Sequence, residues 1–151
     1  MKKEDVIKSL KINCLFSIFS IIIVIVAFET GLLVKGALAG VMSATATYIL
    51  QTADIMLTVL LIPLAIKGFT NKLTKSAGMS EEKYIKLFVK KSVQRIFLLF
   101  VVLIVNVFTY YGINYEGALY CGLFALASII YSFPTMRVMD MYLEKNKEAG
   151  K

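Results

Sequence analysis

Four apolar stretches dominate this chain, and each is about as long as a helix that crosses a membrane. They occupy residues 13–34, 41–66, 93–112 and 117–136. A hydrocarbon core about 30 Å thick requires roughly 20 consecutive apolar residues in a helix. The connections between the stretches are short and leave no room for a soluble domain. We expect residues 1–151 to form a single all-α membrane domain, an antiparallel four-transmembrane-helix bundle.

The composition argues against an ordinary soluble domain. Hydrophobic residues make up 58% of the chain, whereas soluble domains contain about 45–50%. A cleaved signal peptide explains the first stretch less well, because the apolar region of a signal peptide has about 7–15 residues. We therefore expect the first stretch to remain in the protein as a membrane span.

The basic residues are divided unequally between the two sides of these spans. Of 17 Lys and Arg residues, 16 lie on the side that holds both termini, and only Lys35 lies on the other side. Cytoplasmic loops retain Lys and Arg, so this bias sets the orientation of the spans. It predicts a multi-pass membrane protein with both termini in the cytoplasm. The formal net charge of +7 is then explained by this orientation and by attraction to anionic membrane lipids, and it is not evidence for binding to nucleic acid.

A polar stripe crosses the second apolar stretch. Asp54 lies in its middle, and Thr47, Gln51 and Thr58 lie on the same helical face. Asn106 in the third stretch lies at a depth from which its amide could reach the stripe. No Lys, Arg or His lies at that depth. We therefore expect Asp54 to carry a proton or to exchange with a bound cation or water.

Two hypotheses explain this candidate intramembrane polar site. In the structural one, a neutral Asp54 is hydrogen-bonded to Asn106, Gln51 or a backbone carbonyl, and it joins two helices with about 0.6–2 kcal/mol. In the functional one, Asp54 is the proton or cation site of a small transporter or channel. Charged residues within a membrane are costly, which is why they usually have a function.

The segment before the third stretch has the pattern of an amphipathic helix. Ser80 can cap it, Glu81 and Glu82 suit its N-terminus, and apolar residues recur at helical spacing opposite lysines. We expect a short amphipathic cytoplasmic helix that leads into span three. Its basic residues are expected to contact headgroups of anionic lipids, and the alternative is an acidic cytoplasmic partner. These residues are Lys83, Lys86, Lys90, Lys91 and Arg95.

Small residues form two patterns that could bring helices close together. One comprises Gly36, Gly40 and Ala44 at the start of span two, and the other runs along span four. In lipid, small residues let helix backbones approach each other. The patterns indicate either packing within one bundle or a homo-oligomer or membrane protein partner. The residues in span four are Ala118, Cys121, Gly122, Ala125, Ser128 and Ser132.

Two prolines lie about one turn before the basic residues that end spans two and four. Pro63 precedes Lys67, and Pro134 precedes Arg137. Proline removes a backbone donor and clashes with the preceding turn. We expect each proline to bend its helix near the cytoplasmic face.

The chain lacks the residues of common catalytic and metal sites. It has no histidine, and its two cysteines, Cys14 and Cys121, are expected near opposite faces of the membrane. It also has no glycine-rich phosphate loop and no catalytic serine motif. We expect no metal, no cofactor and no enzymatic activity. The favoured function is a non-enzymatic accessory or scaffold subunit, and the alternative is a small proton- or cation-coupled transporter or channel centred on Asp54.

Three short segments, IPLAIK at 62–67, NVFTYY at 106–111 and SFPTMR at 132–137, resemble uncharacterised four-span bacterial inner-membrane proteins. The likeness covers most of the chain after Thr47. It implies the four-span topology and a bacterial origin, and it implies no activity. The chain differs from the small multidrug-resistance transporters, whose essential glutamate lies in the middle of the first helix, because Glu29 lies near the outer end of span one.

Overall fold

All the regular structure in this computed structural model is α-helical. The structure describes residues 3–149, and within that range it contains five helices and no strand. The predicted all-α fold is confirmed. The helices are α1 (Lys3–Glu29), α2 (Ala44–Lys75), α3 (Glu81–Ile113), α4 (Glu116–Tyr131) and α5 (Met136–Glu148).

Three of these helices are individually long and apolar enough to cross a membrane. They are α1, α2 and α3, and a fourth crossing requires α4 and α5 to act together as one bent span. The axes of α4 and α5 differ by 66°. Helices α1, α2 and α3 correspond to the first three predicted spans, and the predicted fourth span, 117–136, corresponds to α4 and the break that follows it.

The two prolines have different effects on their helices. Helix α2 continues through Pro63 to Lys75, whereas Pro134 lies in the break between α4 and α5. Pro134 has no backbone N–H, and its ring obstructs the preceding turn. The next residue, Thr135, caps α5, because its hydroxyl accepts a hydrogen bond from the backbone N–H of Val138 at 3.4 Å. A residue that stops a helix is thus followed at once by one that starts another.

Helix α3 is the centre of the fold, because it packs against α1, α2, α4 and α5. Two contacts show that α2 and α3 run antiparallel. Thr58 faces Asn106, and further along α2, Phe69 lies against Arg95, which is earlier on α3. Helix α4 packs closely against α3 at its small residues, because a Cβ atom at Gly122 would lie 3.5 Å from the Cβ atom of Asn106. The small-residue pattern of span four thus packs within this chain.

The amphipathic segment and span three form one continuous helix. Helix α3 has 33 residues and is therefore about 50 Å long, which exceeds a hydrocarbon core of about 30 Å. The amphipathic helix predicted before span three is not a separate element. Residues 81–111 contain no glycine or proline, and a helix without a breaker gains one hydrogen bond for each residue added.

The ends of the long helices form a second hydrophobic core, here called the basal core. Its residues come from the start of α1, the end of α2, the start of α3, and α5. Asn146 closes this end of the molecule: its Oδ1 accepts hydrogen bonds from the backbone N–H groups of Gly78 and Met79 at 2.9 and 3.2 Å. The buried residues of the basal core are Val6, Ile7, Leu10, Phe69, Leu73, Tyr84, Ile85, Phe88, Met139 and Leu143.

The loop between α1 and α2 lies against the end of α3. The backbone N–H of Gly36 donates to the carbonyl oxygen of Tyr111 at 2.7 Å. Gly36 has a φ of +70°, in the left-handed region that glycine adopts without strain. The predicted repeat of Gly36, Gly40 and Ala44 is therefore not a helix face, because both glycines lie in this loop and α2 begins at Ala44.

The two loops that flank α2 permit a test of the predicted orientation. Gly40 and Ser80 lie in these loops and are exposed, about 48 Å apart along the axis of a 32-residue helix. In a chain with Cys14 and Cys121 replaced by alanine, we expect a membrane-impermeant maleimide to label Gly40→Cys in intact cells. Ser80→Cys should react only after the membrane is opened. Labelling of Ser80→Cys but not Gly40→Cys in intact cells would contradict the predicted orientation.

The basal core should respond strongly to the loss of an aromatic ring. Phe88 is 1% exposed, whereas Phe16 on α1 is 70% exposed. We expect Phe88→Ala to lower the free energy of unfolding by about 3–5 kcal/mol, because it leaves a cavity. Phe16→Ala should change it by less than about 0.5 kcal/mol. Thermal unfolding in mild detergent compares the two, and equal losses would contradict the packing described for Phe88.

Candidate functional site

A cluster of polar side chains is buried where α2, α3 and α4 meet. Asp54 and Thr58 of α2 are 2% and 4% exposed, and Asn106 of α3 is fully buried at 0%. Thr58 lies one turn after Asp54, and it faces Asn106. Because α2 and α3 are antiparallel, Asp54 comes next to Thr109, which lies one turn after Asn106 and is also buried. The cluster therefore combines side chains from two adjacent turns of each helix.

Asn106 connects α3 to α2 by a hydrogen bond. Its Nδ2 donates to Oγ1 of Thr58 at 2.9 Å and to the carbonyl oxygen of Val102 at 2.8 Å. An interhelical bond of this kind contributes about 0.6–2 kcal/mol in a membrane. The expected bond between Asp54 and Asn106 is not formed, because Thr58 takes the amide group one turn away.

Asp54 lies in this cluster without a hydrogen-bond donor. Neither of its carboxyl oxygens has a hydrogen-bond partner, and Oδ1 of Asn106 also has none. The hydroxyl group of Thr109 is a close neighbour outside hydrogen-bonding geometry, and Cys121 of α4 lies near Asp54 and Thr58. A buried ionised carboxylate without a partner costs several kcal/mol. Asp54 therefore requires a proton or a cation, and the unpaired amide oxygen of Asn106 belongs to the same cluster.

Thr47 and Gln51, the other two residues predicted for this site, lie on α2 but outside the cluster. Both are half-buried. The hydroxyl group of Thr47 donates to the carbonyl oxygen of Ser43 at 3.1 Å, within the first turn of the helix. Helical spacing places both residues on the face of Asp54, but neighbouring helices cover the outer turns of α2 less completely. The buried site is therefore shorter than the predicted stripe.

Two residues of the cluster, Thr109 and Cys121, were not part of the predicted polar site. Thr109 lies three residues after Asn106, so helical periodicity was a signal that could have indicated it. Cys121 was expected to act as a packing residue of span four. Its position near Asp54 depends on how α4 packs against α2, and the periodicity of a single helix does not contain that information.

The oxygen atoms available as ligands limit the cations that Asp54 could bind. Within residues 3–149, no three side chains among His, Cys, Asp and Glu come together to hold a metal ion. A cation at this site would depend on one carboxylate, the hydroxyl groups of Thr58 and Thr109, and the amide oxygen of Asn106. Oxygen ligands suit hard cations, and one carboxylate balances a single positive charge.

No protein-family model, curated protein or solved structure matches this chain.

The basic residues predicted to contact lipid headgroups differ in burial. Three of them are exposed at the surface of α3, and they are Lys83, Lys86 and Lys90. Lys91 is half-buried, and Arg95 is 9% exposed. The three exposed lysines can contact lipid headgroups at the surface, as predicted. Arg95 is buried and does not present such a surface contact.

Arg95 is held inside the helices by two contacts. Its Nη2 donates to the carbonyl oxygen of Ser132 at 2.8 Å, at the break between α4 and α5. Its guanidinium group also lies 3.9 Å from the centre of the Phe69 ring, a cation–π contact. Arg95 continues the buried face of α3 that includes Ser92 and Leu99, so its position on the helix directs it inward.

The end of the molecule opposite the basal core contains a second carboxylate, and its contacts differ from those of Asp54. Nζ of Lys35 lies 2.6 Å from Oε2 of Glu29, and the hydroxyl group of Tyr111 donates to Oε1 at 2.7 Å. The Tyr111 ring also stacks on Phe28, with 4.4 Å between the ring centroids. Both carboxylate oxygens of Glu29 therefore have partners, and they connect α1, the loop between α1 and α2, and α3.

The bond between Thr58 and Asn106 can be tested with a matched pair of variants. We expect Thr58→Val to lower the free energy of unfolding by about 0.6–2 kcal/mol, because it removes an interhelical hydrogen bond. Thr52→Val is the control, since Thr52 is exposed and its hydroxyl group donates within its own helix to Tyr48. Thermal unfolding in detergent measures both, and a loss for Thr52→Val as large as that for Thr58→Val would exclude the proposed stabilisation.

Proposed function

We propose that this protein is a small coupled transporter in which Asp54 binds a proton or a monovalent cation. It is non-enzymatic and crosses a bacterial inner membrane with both termini in the cytoplasm. One observation carries the proposal: the carboxyl group of Asp54 is 2% exposed, and neither of its oxygens has a hydrogen-bond partner. Ionisable groups in the middle of a membrane are costly, and they usually mark the pathway of a proton or an ion.

A purely structural role explains these contacts less well. A carboxyl group that joined two helices would engage a donor, yet the nearby amide of Asn106 donates to Thr58 and to Val102. Glu29 provides the contrast within the same chain, because Lys35 and Tyr111 hold its two oxygens. A side chain that costs energy to bury and makes no stabilising bond is better explained by the ligand that it binds.

The burial of Asp54 favours a transporter over a permanently open channel. A proton or cation can reach a group that is 2% exposed only when α2, α3 and α4 move apart locally. Transporters bind their ions in occluded sites near the middle of the membrane and open them to one side at a time. The described arrangement corresponds to such an occluded state.

An accessory or scaffold subunit is the second candidate function, and the outward face of α4 supports it. Tyr120, Phe124 and Tyr131 on that face are 61%, 68% and 79% exposed. Aromatic side chains are enriched at protein interfaces, although lipid covers such a face equally well in a membrane. The small residues on the opposite face of α4 pack within the chain and lend no support to a partner. This candidate therefore has the weaker basis.

A carbodiimide that dissolves in the membrane tests the proposed site directly. Dicyclohexylcarbodiimide reacts with protonated carboxyl groups in apolar surroundings, so we expect it to modify Asp54 in purified protein. The modification should decrease as the pH is raised. If the site also takes Na⁺, added sodium chloride should decrease it further at constant pH, and potassium chloride at equal ionic strength is the comparison. Mass spectrometry of the intact chain and its peptides identifies the modified residue.

Two variants serve as controls for this experiment. Asp54→Asn should abolish the modification, whereas Glu29→Gln should leave it unchanged, because Glu29 is paired and lies at the outer end. Modification that does not depend on pH or on cations, or its absence at Asp54, would contradict a binding site. A stoichiometric partner recovered with wild-type protein in mild detergent, together with an unreactive Asp54, would favour the accessory function.

A further inference from the structure

A groove lies between α2 and α3, and Arg95 is one of the residues that line it. Its volume is about 300 Å³, and it is open to the surface. Lys91, Gln94 and Arg95 lie at one end, next to Gly68 of α2, and Leu64 and Leu98 lie at the other end. The polar end lies toward the basal core, and the apolar end lies toward the middle of the membrane span.

The polar end of the groove carries positive charge without an acidic partner. Arg95 is 9% exposed, and its Nε has no hydrogen-bond partner. Nζ of Lys91 donates to Oε1 of Gln94 at 2.6 Å. Among residues 3–149, neither Lys91 nor Arg95 forms a salt bridge. Burial of a guanidinium group without a counter-charge is costly, and an anion in the groove would supply that counter-charge.

The position of the groove along the helices suits the headgroup of a lipid. Arg95 lies about one turn from the predicted start of span three, and Gly68 lies just beyond the predicted end of span two. The polar end is therefore at the edge of the hydrocarbon core on the cytoplasmic side, where the phosphate groups of lipids lie. The apolar end extends inward from that edge, in the direction taken by an acyl chain.

We propose that this groove binds one anionic phospholipid. Its phosphate group lies beside the side chains of Lys91 and Arg95, and one acyl chain follows Leu64 and Leu98. Charge complementarity selects the anionic headgroup, because the groove presents two positive charges and no described carboxylate. Through Arg95, the bound lipid also reaches the carbonyl of Ser132 at the break between α4 and α5, so it stabilises three elements at once.

Binding of phosphatidylglycerol to the full-length chain in mild detergent tests this site. Native mass spectrometry counts bound lipids, and a titration followed by thermal unfolding provides the affinity. We expect wild-type protein to retain one phosphatidylglycerol in preference to phosphatidylcholine. Lys91→Gln should weaken the binding about fivefold, which corresponds to about 1 kcal/mol for each basic residue near a membrane surface. Lys90→Gln should change it less than twofold, because Lys90 is exposed and does not line the groove.

A second variant tests the shape of the groove without changing its charge. A Cβ atom at Gly68 would meet no other atom within 4 Å, so Gly68→Leu can place its side chain in the open space of the groove. We expect it to abolish specific retention of phosphatidylglycerol while the protein stays folded. Asp54→Asn should bind lipid like the wild type, which separates this proposal from the proposed transport function.

Several results would overturn the proposal. Equal effects of Lys90→Gln and Lys91→Gln would show a general surface attraction, and equal retention of phosphatidylcholine would show that charge does not select the lipid. An equal thermal shift with inorganic phosphate alone would show a free anion site without a role for the acyl chain. An acidic peptide that binds where phosphatidylglycerol does not would identify a protein partner instead.

Discussion

A polar group buried between helices has no water to bond to, and the structure depends on how the chain meets this constraint. Asn106 donates to Thr58 and to a carbonyl oxygen of its own helix, and Arg95 donates to the carbonyl oxygen of Ser132. The bonds to Thr58 and Ser132 join helices that are distant in sequence. Asp54 differs from these two residues, because its carboxyl group makes no hydrogen bond at all. That departure makes it the candidate for a ligand-binding group.

Helix α3 connects the different parts of the molecule. Near its C-terminal end, the hydroxyl group of Tyr111 donates a hydrogen bond to Glu29 of α1, and the carbonyl oxygen of Tyr111 accepts one from the loop between α1 and α2. In its middle, Asn106 contacts α2, and Gly122 of α4 lies close to Asn106. At its N-terminal end, α3 contributes to the basal core. Asp54 and the Arg95 groove both lie against α3, so the position of this helix affects both sites.

Periodicity predicted part of the candidate site. It placed Asp54 and Thr58 on one face of a helix and identified Asn106 as a residue at similar depth, and the structure brings these three residues into one cluster. It also included Thr47 and Gln51, because a helical period specifies a direction around the axis and not how far neighbouring helices cover that face. For the same reason it treated Arg95 as a surface charge, although the residue lies on the buried face of α3.

The sequence by itself determined the all-α class and the apolar segments long enough to cross a membrane, because these follow from local composition and backbone chemistry. It treated Pro63 and Pro134 alike, although only Pro134 lies in a break between helices. Only the tertiary structure decided that Asn106 binds Thr58 and leaves Asp54 unpaired, and that Arg95 lies beneath a groove. The atoms in these contacts come from different helices, as in the hydrogen bond between Thr58 of α2 and Asn106 of α3. Their contacts depend on the packing of whole helices, which no pattern within a single segment specifies.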